Sequence, residues 1–124
     1  MTLIDTNYIL RWFFDDVHEQ TEIAQQLFEN APGNTLRIDR LIIAEVTFVL
    51  RSRGYNHPSI TTLIRELYLY EAIVSPTAVE DQALHIYAST SLDYEDCYLI
   101  ADAILSDGAV ASFDKQLLKT LQKL

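Results

Sequence analysis

The chain has 124 residues, 49% of them hydrophobic, with only three Gly and three Pro. That length fits one domain and not two, with apolar material for a real core, and so few Gly and Pro argue against disorder and against a turn-rich all-β sandwich. The net charge of −9 speaks against nucleic-acid binding through a broad basic face, and fits a metal-binding cluster or a basic partner better.

No apolar run approaches the roughly 18 residues of a membrane span. The N-terminus carries no basic region ahead of its apolar residues and no cleavage pattern. The single Cys97 cannot form an internal disulfide. A soluble, cytoplasmic protein without membrane contact is expected.

The chain begins with a short apolar strand, Leu3-Ile4, that runs into Asp5. A carboxylate at the C-terminal lip of a strand stands where open α/β sheets place their active sites. Thr6 and Asn7 suit a helix start, and residues 8–14 read as a short, mostly buried helix. Residues 18–30 form a second helix, with Ile23, Ala24, Leu27 and Phe28 on one face. Pro32-Gly33-Asn34 is a turn, and residues 35–38 are a second strand.

Asp39 caps a third helix that is apolar on several sides and stops at Gly54. Asn56-His57-Pro58 starts a fourth, ending near Tyr70. Residues 72–74 are a third strand. Ser75-Pro76 then reads as the cap and first position of a fifth helix. A sixth helix spans about 95–107 and ends at Gly108. Residues 109–111 are a fourth strand, and the last helix carries Leu117, Leu118, Leu121 and Leu124. Strands alternating with helical crossovers predict a single α/β domain over residues 1–124, a three-layer α/β/α sandwich with a parallel sheet of about four strands.

Four carboxylates stand out by position. Asp5 follows the first strand and Asp114 the fourth. Asp96 lies in the first turn of the sixth helix, and Glu45 in the second turn of the third. A parallel topology brings those helix N-termini to one sheet edge, where helix dipoles favour anions. Four anions in one crevice repel unless a cation lies between them. Mg²⁺ or Mn²⁺ suits a set of hard oxygen ligands. Each acid also has a plainer reading: Asp5 and Asp114 as helix caps, Asp96 as a favourable charge at a helix start, Glu45 as the partner of a nearby Arg. Four such carboxylates would account for less than half of the negative excess.

The stretches Leu3-Ile4-Asp5-Thr6-Asn7, Ile43-Ala44-Glu45-Val46, Tyr94-Glu95-Asp96-Cys97 and Ala111-Ser112-Phe113-Asp114 together carry a family resemblance. In order and spacing, over nearly the whole chain, the sequence resembles a PIN-domain protein, most of all the VapC-type ribonuclease toxins of toxin–antitoxin pairs. The resemblance implies that Asp5, Glu45, Asp96 and Asp114 form the acidic metal site. It implies that Asn7 and Ser112 support that site by hydrogen bonding. Asp93 competes for the third position, but the family pattern puts the acid directly before a small residue, which favours Asp96. Cys97 stands where Ala is more usual and reads as a core residue. Two departures are visible: the sequence stops directly after the last helix, where many relatives add an edge strand, and Gln116 replaces a further acid found in some PIN domains.

The implied reaction is hydrolysis of an RNA phosphodiester with one or two Mg²⁺ or Mn²⁺ ions. RNA contacts are expected from Arg11 and from Lys115, Lys119 and Lys123, which recur every four residues along the last helix; a solvated helix face is the plainer reading of that stripe. His18, His57 and His85 read as surface or structural residues. The third and fourth helices, with Tyr55, Tyr68 and Tyr70, carry apolar surface that in the resembled family mediates homodimerisation and antitoxin binding. A homodimer and a cognate antitoxin are expected; ordinary core packing would use the same residues. The competing reading is a catalytically weak or inactive PIN-fold interaction module. A phosphatase with Asp5 as nucleophile would need a second Asp where Asn7 stands.

Overall fold

The computed structural model describes residues 1–124. The elements in chain order are β1 (Thr2–Leu3), α1 (Thr6–Phe13), α2 (His18–Asn30), β2 (Leu36–Arg37), α3 (Arg40–Ser52), α4 (His57–Leu67), α5 (Ala78–Ser89), α6 (Tyr94–Leu105) and α7 (Lys115–Lys123). No helix is long and apolar enough to cross a membrane. One apolar core runs from Ile4 to Leu117 through every helix.

The sheet is smaller than the four strands expected. β1 and β2 pair in parallel, with Thr2 opposite Leu36 and Leu3 opposite Arg37. The third segment contributes one parallel bridge, Leu36 to Ile73. The rungs of that bridge are Leu36 N–H to Ala72 C=O at 2.9 Å and Val74 N–H to Leu36 C=O at 2.8 Å. The next N–H facing β2 would be that of residue 76, a Pro, so the ladder does not extend. Residues 109–111 form no strand. Ala109 and Ala111 are exposed and only Val110 is half-buried, and two alanines bury too little apolar surface to offset the ordering of a strand. The three-layer sandwich is thus a mostly helical domain around a two-stranded parallel sheet. Thr2 N–H bonds Thr35 at 2.8 Å and Ile4 N–H bonds Arg37 at 3.0 Å. Those bonds face β2, so the alternation of the strand turns the N–H and C=O of Leu3 to the open edge.

Helix ends follow local chemistry. Asp39, Asn56, Thr77 and Asp114 each accept a backbone N–H of the helix they precede. The cap of α5 is Thr77, not Ser75. Gly54 ends α3 at φ +93°, with Tyr55 N–H returning to Leu50 C=O at 3.1 Å and Gly54 N–H to Arg51 C=O at 3.0 Å, a Schellman closure. At the end of α6 the left-handed residue is Asp107 (φ 53°), and Gly108 lies one place later, its N–H on Ala103 C=O at 2.8 Å.

Helix pairs set the positions of the acids. α3 packs on α1, α4 and α6, and α6 also meets α5 and α7. Arg40, in the first turn of α3, lies over the Tyr98 ring at 5.3 Å and donates to its hydroxyl at 3.3 Å, fastening α3 to α6.

Candidate active site

Asp5 occupies the N-cap position of α1 in extended conformation, yet its side chain makes no capping bond. Four other helices use their cap side chain in that way, whereas Asp5, like Asp93 at the start of α6, does not, so the exposed Asp5 carboxylate is free of the ordinary structural use of an acid at a helix start. Its backbone carbonyl accepts Tyr8 N–H at 3.1 Å. The next residue, Thr6, is buried, and its hydroxyl donates to the Glu45 carboxylate. That bond joins the start of α1 to the second turn of α3 and places Glu45 beside the residue that follows Asp5. Asp5 and Asn7 also line a concavity of about 340 Å³ with Tyr8, Arg11, Gln20 and Ile23. Arg11 is partly engaged there: its Nε donates to Gln20 at 2.8 Å, and its guanidinium pairs with Asp16 at 3.3 Å.

Asp96 and Asp114 form the second half of the acidic set. Asp96 is half-buried in the first turn of α6, and partial burial, then the negative charges of Asp114, Asp93 and Glu95, raise its pKa. Asp114 caps α7, with Oδ1 accepting Leu117 N–H at 3.1 Å. Its own N–H donates to Ser112 Oγ at 3.0 Å. Capping engages one carboxylate oxygen of Asp114 and leaves the other for a second partner.

The four acids therefore stand as two pairs, Asp5 with Glu45 through Thr6, and Asp96 with Asp114 through their charges. No three of the Asp, Glu, His and Cys side chains are gathered within reach of one cation. Two physical reasons apply. Carboxylates repel at short range, and residues 109–111 do not pair with β1, so nothing draws Asp114 toward Asp5. The donor set is nonetheless all carboxylate, which fits Mg²⁺ or Mn²⁺ by hardness, and the mutual repulsion of Asp96 and Asp114 is the kind a divalent cation relieves.

Other polar residues lie outside this set. Cys97 is fully buried, and burial pushes its thiol up to about 12, which makes it an inert core residue. His57 stacks on Tyr87 at 3.9 Å and bonds its carbonyl at 2.9 Å. Exposed His18 lies between Asp15 (3.0 Å) and Glu22 (3.1 Å). The sequence reading missed Thr6 as the partner of Glu45. Its signal was a small hydroxyl residue next to Asp5, which a helix start explained equally well.

A parallel β1–β2 pair with carboxylates at the strand lip and at helix starts is the frame of an α/β protein that works with acidic side chains. A model of the PIN domain matches residues 2–123, and the chain belongs to the PIN domain family. PIN domains are a nuclease family whose members typically use divalent metals. Searches among curated proteins and among solved structures found no match.

Proposed function

We propose that this protein is a metal-dependent endoribonuclease, the toxin of a toxin–antitoxin pair of the VapC type. The observation that carries the reading is the Asp5 carboxylate, which stands at a helix N-cap without capping, next to the hydroxyl that holds Glu45. A carboxylate released from structural use, one residue from the hydroxyl that fixes a second carboxylate, is suited to ligation.

In this reading Asp5, Glu45, Asp96 and Asp114 hold Mg²⁺ or Mn²⁺, which when bound supplies an activated water and neutralises charge on the scissile phosphate. Thr6 fixes the orientation of Glu45 through its hydroxyl. Ser112 and the first turn of α7 hold the Asp114 backbone and one of its oxygens. Asn7 lies with Asp5 on the wall of the adjoining concavity, where it is placed to hydrogen-bond a ligand group, and Arg11 offers a cation there.

The toxin role adds partners. Leu41 and Phe48, one heptad apart on α3, are 71% and 72% exposed and flank Glu45. An apolar stripe beside the acidic residues suits a second copy of the chain or an antitoxin. The separation of the acids into two pairs favours a second reading, a PIN-fold interaction module with little catalysis. One experiment divides them: the purified full chain is incubated with RNA and Mn²⁺, beside Asp5→Asn. Fragments from the wild type and none from the variant support the nuclease. Equal behaviour of the two removes it and leaves the interaction module.

A further inference from the structure

We infer that the groove between α7 and the turn joining α5 to α6 is a track for the phosphate backbone of single-stranded RNA, a proposal that rests on the ribonuclease reading. The groove has a volume of about 500 Å³, and Lys119 and Lys123 form one wall, with Ser89, Thr90 and Ser91 opposite. No Asp or Glu lines it. The protein carries −9, and its other principal concavities are either wholly apolar or contain a carboxylate: Asp93 and Glu95, Asp5, or Asp39 and Glu80. All four ion pairs use Arg or His, so Lys119 and Lys123 are not neutralised by a neighbour.

The hydrogen bonding of the groove also suits an anion. Thr90 Oγ1 donates to Ile86 C=O at 2.9 Å, and Ser89 Oγ to the carbonyls of His85 and Ile86 at 3.3 Å. These hydroxyls cover carbonyls at the negative end of α5 that would otherwise repel a phosphate. Gln116 Nε2 donates to Ser91 Oγ at 2.6 Å. Ser91 therefore accepts its bond from the protein and keeps its own O–H to donate outward. Two ammonium groups about 6 Å apart along one helix face, with a hydroxyl donor opposite, match a chain of phosphates and read no base. The same helix is capped by Asp114, and Lys119 lies only about 7.5 Å along the axis from that acid. Lys115 continues the stripe toward Asp114.

The test uses the full chain carrying Asp5→Asn, so that RNA is bound and not cut. Fluorescence anisotropy with a labelled oligouridylate is measured against salt concentration. Lys119→Glu with Lys123→Glu is expected to weaken binding at least tenfold at low salt. Lys119→Gln with Lys123→Gln is expected to lower the slope of log K against log salt by about 1.4, the loss of two single-strand phosphate contacts. Ser91→Ala is expected to weaken binding two- to threefold. Circular dichroism melting checks that each variant folds. Unchanged affinity and slope in the Gln variant would overturn the track. So would a Glu variant that keeps RNA but loses an acidic peptide such as polyglutamate, which would make the groove a protein-docking site. The two readings fail separately: lysine-dependent binding without cleavage by the wild type removes the nuclease and keeps the track, and cleavage with lysine-independent binding does the reverse.

Discussion

The Thr6 hydroxyl donates to the Glu45 carboxylate across the junction of α1 and α3. Thr6 is buried and Glu45 is exposed, so the bond holds one carboxylate at a fixed angle while water reaches its other side. Thr6→Val keeps the shape and removes the donor. It is expected to cost about 1 kcal/mol, since water partly replaces the lost bond. RNA cleavage is expected to fall about tenfold as Glu45 loses its orientation, and Thr6→Ser is expected to restore most of it. Thermal unfolding and cleavage rates in Mn²⁺ check the two effects.

Asp96 is the strained member of the acidic set. It bears a partial burial penalty and faces Asp114, Asp93 and Glu95. Asp96→Asn removes the charge and keeps the volume. Without added metal the variant is expected to melt roughly 1–3 °C higher than the wild type, the scale of relieving a surface-level repulsion. Cleavage is expected to be lost. Added Mn²⁺ is expected to raise the melting temperature of the wild type more than that of the variant, because binding to the folded state alone stabilises it. A variant that melts lower without metal would contradict the repulsion.

Much of the helical frame is legible in the sequence. The span 18–30 and the stop at Gly54 follow from apolar spacing and from the freedom of Gly to take φ +93°. Where two residues compete for one local role, the sequence misleads: Thr77 takes the α5 cap ahead of Ser75, and Asp107 takes the left-handed position ahead of Gly108. The strands are least legible. Apolar triplets mark 72–74 and 109–111, but a ladder needs free N–H groups and burial on both sides. After Val74 the next position facing β2 is Pro76, which has no N–H to give, and the alanines at 109 and 111 stay in water. The chain positions of Asp5, Glu45, Asp96 and Asp114 are equally plain. Their grouping in space is not, because it depends on Thr6 and on where residues 109–111 lie.

His18 supplies a pH-dependent handle away from the acids. Hydrogen bonding and charge from Asp15, then charge from Glu22, raise its pKa above 6.5. A cation at a helix start opposes the helix dipole, so the two carboxylates outweigh that effect. For a His with a raised folded-state pKa, the stabilisation is fully present below the unfolded value and is lost as pH rises through the folded one. An NMR titration of the His18 ring is expected to show a midpoint above 6.5, and Asp15→Asn is expected to bring it back toward that value. Because His18 is exposed on α2, the melting temperature is expected to change little over the same range.

Trp12 Nε1 donates to the Tyr70 hydroxyl at 2.9 Å, and the rings meet edge to face at 6.0 Å, with Phe28 packed on both. This contact ties α1 to the turn whose Tyr70 carbonyl holds Ile73, and so to the segment that bridges Leu36 beside β1. Tyr70→Phe keeps the ring contacts and leaves the half-buried indole N–H without its partner. The expected cost is about 1 kcal/mol, or roughly 3–5 °C in melting temperature for a domain of this size. Trp12 is the only tryptophan, so its emission reports the site alone and is expected to shift to longer wavelength as water reaches the indole. Tyr70 is not among the residues lining the Asp5 concavity or the Lys119 groove. RNA cleavage measured well below the melting temperature is therefore expected to match the wild type within about twofold; a larger loss would mean that the α1 end of the acidic site depends on this aromatic contact.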